Sequence, residues 1–242
     1  DELAFGWSGS PEADLSGPRP FVNNMTLLRW NDLADLEALF AESGDIAAVL
    51  IEPMLANAGS LQAEPGYLEA VGRICRRHGA MVISDEVLMG LRLHAGPTCH
   101  RFGLEPDLVT LGKAIGSGVP VAAVLGTEAA FAAVVDGRAT RAGTYHGNPL
   151  VTAAVLATFD TLGQADYAAL LARGEDLRAA IVAAFGEAGM TVSTSGIGSV
   201  FSLWFAAVPP TRYEQKAHRE GRRCCYLSFR RRARPAVSGS PR

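Results

Sequence analysis

Residues 46–51 form an unbroken apolar run that ends at Glu52-Pro53, and residues 80–84, apolar up to Ser84, form a second strand that ends at Asp85-Glu86. Runs apolar on both faces are what parallel-sheet strands show when layers cover them on both sides. Residues 107–111 predict a third strand, followed by Gly112-Lys113, and residues 121–125 predict a fourth. Ahead of the first strand, and again between the first and second, the period changes. Leu33, Leu36, Leu39 and Phe40 recur at helical spacing after Asn31, an N-cap residue type, and Ser43-Gly44-Asp45 closes that helix. Pro65-Gly66 opens a second helix that runs to His78, with Arg73, Arg76 and Arg77 in its last turns and Gly79 as its cap. Strand, helix, strand at this spacing predicts an α/β domain with a mostly parallel sheet flanked by helices.

Residues 1–31 are rich in Gly, Pro, Ser and Asn and predict loop, with one short strand near residues 21–22. After Asn148-Pro149, residues 150–162 and 167–188 are Ala/Leu-rich and predict two helices. Residues 190–193 and 200–205 predict strands of a smaller unit, and past Pro209-Pro210 the periodicity collapses. The expected organisation is a large domain over residues 1–158, part of a smaller C-terminal α/β domain over 159–210, and a basic tail over 211–242.

Composition narrows the class. Hydrophobic residues make up 48% and charged ones 19%, a core-forming balance, and the net charge of -3 offers nothing to nucleic acid. The charge is uneven: from Arg212 to Arg242 the net is +8, so the rest of the chain carries -11. The four cysteines have no metal-ligand spacing, and Cys224 and Cys225 are adjacent, which predicts a reduced, cytoplasmic protein without a metal. No apolar run approaches the roughly 18 residues of a membrane span. The opening Asp-Glu-Leu-Ala-Phe-Gly lacks the order of a signal peptide.

The candidate chemistry lies past the strand ends. Ligands of open α/β sheets bind outside the carboxyl ends of the strands, and Glu52, Asp85 and Lys113 fall there, so they are expected to share one crevice. Only two lysines occur, Lys113 and Lys216, and the second lies in the basic tail. An amine in a protected crevice loses solvation, its pKa falls, and it becomes a nucleophile able to form an imine. The plainer alternative is a surface lysine in a Gly-rich loop. A buried carboxylate such as Asp85 holds a proton on a facing pyridine nitrogen, and Val87 would set an apolar side chain against the ring. Alternatively, Asp85 and Glu86 merely end a strand. Gly143-Thr144-Tyr145-His146-Gly147-Asn148-Pro149, just ahead of a helix, offers a hydroxyl and backbone N–H groups to a phosphate, or is an ordinary capping loop. His78 and His146 read as solvated.

Taken in order, these stretches resemble a family. Ala48-Val-Leu-Ile-Glu-Pro53, Pro65-Gly-Tyr-Leu-Glu69, Asp85-Glu-Val through Gly90, Pro106-Asp-Leu-Val-Thr-Leu-Gly-Lys113 and Ala142-Gly-Thr-Tyr-His-Gly-Asn-Pro149 are similar to the class-III pyridoxal-phosphate-dependent aminotransferases. The likeness is strongest to their glutamate-1-semialdehyde 2,1-aminomutase-like members. It implies a type-I fold, pyridoxal 5'-phosphate as cofactor, and transfer of an amino group between a small-molecule donor and a carbonyl acceptor. It implies that Lys113 forms the imine and shuttles the proton, Asp85 pairs with the pyridine nitrogen, and Val87 packs on the ring. It further implies a homodimer in which Gly143 and Thr144 approach the phosphate of the other subunit's cofactor. Glu52 would support the site. Asn57 stands where many relatives carry a glutamate that gates a substrate-binding arginine, and asparagine there resembles the aminomutase branch.

The chain departs from the family at both ends. The family's Ser/Gly-rich phosphate loop and stacking aromatic have no counterpart in residues 1–30, which implies an N-terminally incomplete enzyme. From Thr211 the tail reads as disordered or out of its ancestral frame. The competing expectations are a non-catalytic remnant of such an enzyme, or a racemase or decarboxylase, since Asp85 and Lys113 serve those reactions too.

Overall fold

The first helix starts one residue later than its sequence suggests. In the computed structural model, which describes residues 21–22 and 25–213, α1 (Leu33–Glu42) is capped by Asp32, whose Oδ1 accepts from the Asp35 amide at 3.1 Å. Asn31 is not the cap. Its side chain donates to the Gln62 carbonyl and accepts from the Glu64 amide at 2.9 Å, a long-range tie that takes it out of the helix. The second helix follows the expected signals. Gly66 (φ 79°) precedes α2 (Tyr67–His78) and Gly79 (φ 70°) ends it, both left-handed, which a glycine adopts without a Cβ clash.

The strands are, in chain order, β1 (Phe21–Val22), β2 (Met25–Thr26), β3 (Ala48–Ile51), β4 (Met54–Leu55), β5 (Leu61–Gln62), β6 (Met81–Glu86), β7 (Leu108–Leu111), β8 (Ala123–Gly126), β9 (Ser193–Ile197) and β10 (Val200–Trp204). Four form the central sheet in the order β3-β6-β7-β8. β3, β6 and β7 run parallel, and β8 returns antiparallel to β7. β1–β2, β4–β5 and β9–β10 are separate two-stranded antiparallel pairs.

Side chains alternate across the sheet. One face presents Val49, Val82, Val109 and Leu111, all buried, and α1 and α2 cover it with Leu36, Phe40, Leu68, Val71 and Ile74. The other face presents Ala48, Leu50, Ile83, Leu108 and Thr110, only half-buried, with Met81 and Val124 exposed. The expectation of strands buried on both faces therefore fails among the described residues: apolar composition marks both faces, but α1 and α2 lie on one. β6 also runs through Asp85 and Glu86 instead of stopping before them, because both remain paired to β7.

Three further helices complete the described chain. α3 (Glu128–Val135) was not anticipated, and α4 (Pro149–Gly163) and α5 (Tyr167–Glu187) match the two Ala/Leu-rich segments. Asn148 caps α4 with Pro149 at its start, as expected from position and residue type. The hairpin of β9 and β10 begins three residues later than its sequence suggests. Cys75 and Cys99 are buried free thiols. The readings made for residues 1–20 and for the tail past Tyr213 lie outside the described residues.

The uneven cover has a measurable consequence. Leu111→Ala, in the covered face, should lower unfolding free energy by about 2–5 kcal/mol, whereas Met81→Ala on the opposite face should cost less than about 1 kcal/mol. Denaturant titration of both variants checks this, and equal losses would contradict the one-sided core.

Candidate active site

Parallel pairing aligns the chemistry. Ile51 pairs with Ser84 and Asp85 with Thr110, so continuing β3 by one residue sets Glu52 beside Asp85 on the same face. Continuing β6 and β7 likewise sets Val87 beside Gly112. The side chains agree: a Cβ on Gly112 would lie 3.2 Å from Val87 Cγ1, so the missing side chain makes room for valine against the backbone next to Lys113. Lys113 itself has φ 42° and opens a tight 3-10 turn, Lys113–Gly116. Packing against α4 steadies that turn, where the Thr158 hydroxyl donates to Ser117 Oγ at 3.0 Å.

Asp85 is held but not saturated. Its Oδ1 accepts from the Val87 amide at 3.0 Å and from Thr110 Oγ1 at 3.2 Å, while Oδ2 has no donor among the described residues. Glu52 and Asp85 both line a cavity of about 1110 Å³ that runs along β3, lined further by Leu28, Trp30 and Ile51. Lys113 is exposed and lies outside that cavity's lining. The three groups nevertheless feel one another. Burial first, then the Asp85 charge, pushes the Glu52 carboxyl up to about 7, against the Ala56 amide that donates to it and the positive charge of Lys113. The carboxyl ends of β3, β6 and β7 thus carry Glu52, Asp85, Val87 and Lys113, but of these four only Glu52 and Asp85 line the cavity, and Lys113 is exposed instead of sheltered as its sequence reading expected.

Glu86 has a different task. It is fully buried on the opposite face, where its carboxyl oxygens accept from the Thr98 and Cys99 amides, each at 2.6 Å, and from Ser84 Oγ at 3.4 Å. Those amides open the 3-10 helix Thr98–Phe102, a natural anion seat. Burial, then the neighbouring Glu86, pushes the Cys99 thiol up to about 12, so it stays protonated and inert.

The remaining candidates sit apart from this cluster. Asn57 is exposed on the loop between β4 and β5, next to Ala56. Gly143 and Thr144 lie in an exposed turn ahead of α4, and neither hydrogen-bonds to Glu52, Asp85 or Lys113. Sequence reasoning missed Thr110 and the Ala56 amide. Thr110 was open to discovery as the register partner of Asp85 once the strands were paired. A backbone amide leaves no mark in the sequence.

The described residues thus define an α/β protein whose paired carboxyl groups and lysine gather at the carboxyl ends of parallel strands. Comparison with known proteins specifies the class. The model of the aminotransferase class-III family matches residues 19–198. Glutamate-1-semialdehyde 2,1-aminomutase of Sorangium cellulosum (strain So ce56) is 41% identical over 217 residues, covering 89% of this chain and 49% of that protein. The enzyme of the same name from Nitratidesulfovibrio vulgaris (strain DP4) is 37% identical, covering 96% and 56%. Among solved structures, an omega-transaminase from Sphaerobacter thermophilus aligns with a TM-score of 0.72 at 34% identity, covering 77% of this chain and 44% of that one. A transaminase with PLP bound aligns with a TM-score of 0.69 at 31% identity, covering 78% and 45%. The chain belongs to the class-III aminotransferase family, and it spans about half the length of the curated relatives it matches.

The Glu52 proton ties stability to pH. Its native value of about 7 exceeds the ordinary 4.5, so its stabilising contribution is complete below 4.5 and is lost as pH rises through 7. Glu52→Gln should remove that part of the slope, making the cofactor-free variant more stable than the parent at pH 8 by up to about 3 kcal/mol. Thermal melts at acid, neutral and alkaline pH check this. Two parallel pH profiles would contradict it.

Proposed function

We propose that this chain carries the cofactor-holding part of a pyridoxal-phosphate-dependent aminotransferase or aminomutase, with Lys113 as the covalent anchor. One observation supports this above the others: the strand register sets Asp85 and Lys113 at the carboxyl ends of the neighbouring parallel strands β6 and β7, with Glu52 beside Asp85. When bound, pyridoxal phosphate supplies an electrophilic carbonyl carbon and an electron-accepting ring. The residues fit such a group. Lys113 provides the amine that holds it and then carries a proton at the substrate α-carbon. Asp85 keeps a proton on the ring nitrogen through Oδ2, since Oδ1 is already engaged by Val87 and Thr110. Val87, lodged in the space that Gly112 leaves, offers methyl groups to a ring face.

The substrate side belongs to Glu52 and Asn57, where a small-molecule amino donor and then a carbonyl acceptor would bind. Thr144, with the Gly143 backbone, reaches the phosphate of a partner copy's cofactor in a homodimer. The exposed turn that carries them, beside exposed Tyr145 and Leu150, supports that reading. The buried free thiols support a reducing cytoplasmic setting. No helix of the described residues is long and apolar enough to cross a membrane.

Adding pyridoxal phosphate, reducing with borohydride and mapping the labelled peptide tests the assignment. The label should fall on Lys113, and a label on Lys216 alone, or none, would overturn it. Asp85→Asn should weaken cofactor binding about 10–100-fold, as expected for the loss of one charge-assisted hydrogen bond.

A further inference from the structure

The loop between β4 and β5 has an unusual backbone. Gly59 has φ +92° and Ser60 φ 51°, two consecutive left-handed residues of which only the first is glycine. Such a conformation persists only where surroundings over-determine it. The surroundings come from far along the chain. The Trp204 ring covers Gly59 so closely that a Cβ there would overlap it. Trp204 Nε1 donates to Ser195 Oγ at 2.7 Å, and Ser195 Oγ donates to the Gly59 carbonyl at 2.6 Å. Ser60 Oγ and Ser202 Oγ share a hydrogen bond of 3.1 Å, and Gln62 Nε2 donates to the Gly196 carbonyl at 2.8 Å. Ser60, Ser195 and Trp204 are all buried, so the Trp204–Ser195–Gly59 chain of bonds lies away from bulk water.

The other end of the loop touches the site. The Ser60 amide donates to the Ala56 carbonyl at 3.2 Å, and Ala56 lies four residues past Glu52, whose carboxyl pKa its backbone amide helps to lower against the effect of burial. Asn57 is the next residue. We infer that the hairpin of β9 and β10 is a positioning element for the substrate side of the site, with Trp204 and Ser195 as positioning residues that act on Glu52 and Asn57 through the 56–60 loop.

The same hairpin is bound to α5. Arg178 donates to Thr194 Oγ1 at 3.1 Å and to the Gly196 carbonyl at 3.0 Å, and Glu175 accepts from the Gly198 amide at 2.7 Å. The loop beside Glu52 is thereby set by where α5 and its hairpin dock, and not by β4 and β5, whose strands are two residues each. A rearrangement of α5 would reach the substrate side while leaving Asp85 and Lys113 on their strands. The role of the loop in substrate binding rests on the aminotransferase reading above; the coupling itself does not.

Two variants of the full chain test it: Trp204→Phe, which keeps a ring over Gly59 but removes the donor, and Ser195→Ala, which removes both links. In the cofactor-free protein, amide hydrogen exchange at Ala56 and Ser60 should accelerate about tenfold in each variant, with the amides of β6 and β7 unchanged. Unchanged exchange at those two amides, or equal acceleration in β6 and β7, overturns the proposal. Should Trp204→Phe fail to fold, Ser202→Ala cuts the link to Ser60 with Trp204 in place, and the same outcomes apply. In the loaded protein the variants should raise KM for the amino donor about tenfold while kcat and cofactor retention change less than about twofold. Loss of cofactor instead of donor affinity overturns the assignment to the substrate side. If the unaltered chain takes no label on Lys113, the functional reading fails, and the exchange measurement still decides the coupling.

Discussion

Everything at the site depends on the register between β6 and β7. Asp85 and Glu86 are chemically near-identical neighbours, yet one faces the half-open side and the other is fully buried. A strand repeats every two residues, so a slip of one position would exchange them and turn the wrong carboxylate to the open face. Glu86 forbids that slip. Its two short bonds to the Thr98 and Cys99 amides would be lost, and the carboxylate of Asp85 would enter a dry site without its donors at Oδ1. Breaking a buried, charge-assisted arrangement of this kind costs several kcal/mol, more than most single contacts in the core. The buried glutamate therefore fixes which acid the site receives.

Register also explains why three charged groups can coexist. Two carboxyl groups on adjacent strand ends repel, and the repulsion is relieved by leaving Glu52 protonated up to about 7 and by the positive charge of Lys113. Asp85 Oδ1 takes donors from Val87 and Thr110, whereas burial is the largest cause of the raised Glu52 carboxyl.

Much of this was legible in the chain, and the exceptions share a cause. Pro65-Gly66 and Gly79 mark α2 because helix ends are local, and Glu52, Asp85, Val87 and Lys113 were placed together because parallel strands end at one edge. Asn31 and Asp32 are equally good caps by residue type. The choice was made by Gln62 and Glu64, some thirty positions away, which no local pattern reveals. The direction of β8 is not encoded in its own apolar residues, and the half-open sheet face looks in sequence like the covered one. α3 has no polar-apolar period, since Glu-Ala-Ala-Phe-Ala-Ala-Val-Val is apolar nearly throughout and none of its residues is buried. The family resemblance supplied roles for Gly143, Thr144 and Asn57 that geometry within one chain does not reach.

Backbone strain connects the two halves of the site. Of the five non-glycine residues with positive φ among the described residues, Ser60, Lys113 and Ser117 lie on the loops that follow Glu52 and β7. Each such residue costs on the order of 1–3 kcal/mol, and each loop has a hydroxyl pair that offsets part of it: Ser60 with Ser202, and Ser117 with Thr158. Both supporting hydroxyls come from elements late in the chain, β10 and α4, whereas the strands that carry Asp85 and Glu86 need neither. The sheet fixes the carboxylate, and later elements fix the lysine turn and the Glu52 loop. A chain whose β9–β10 hairpin or α4 shifted would thus keep Asp85 in place and lose the geometry of Lys113 and of the loop beside Glu52. The division follows from the bond network alone, since no strand hydrogen bond holds Lys113 or Ser60 where it stands.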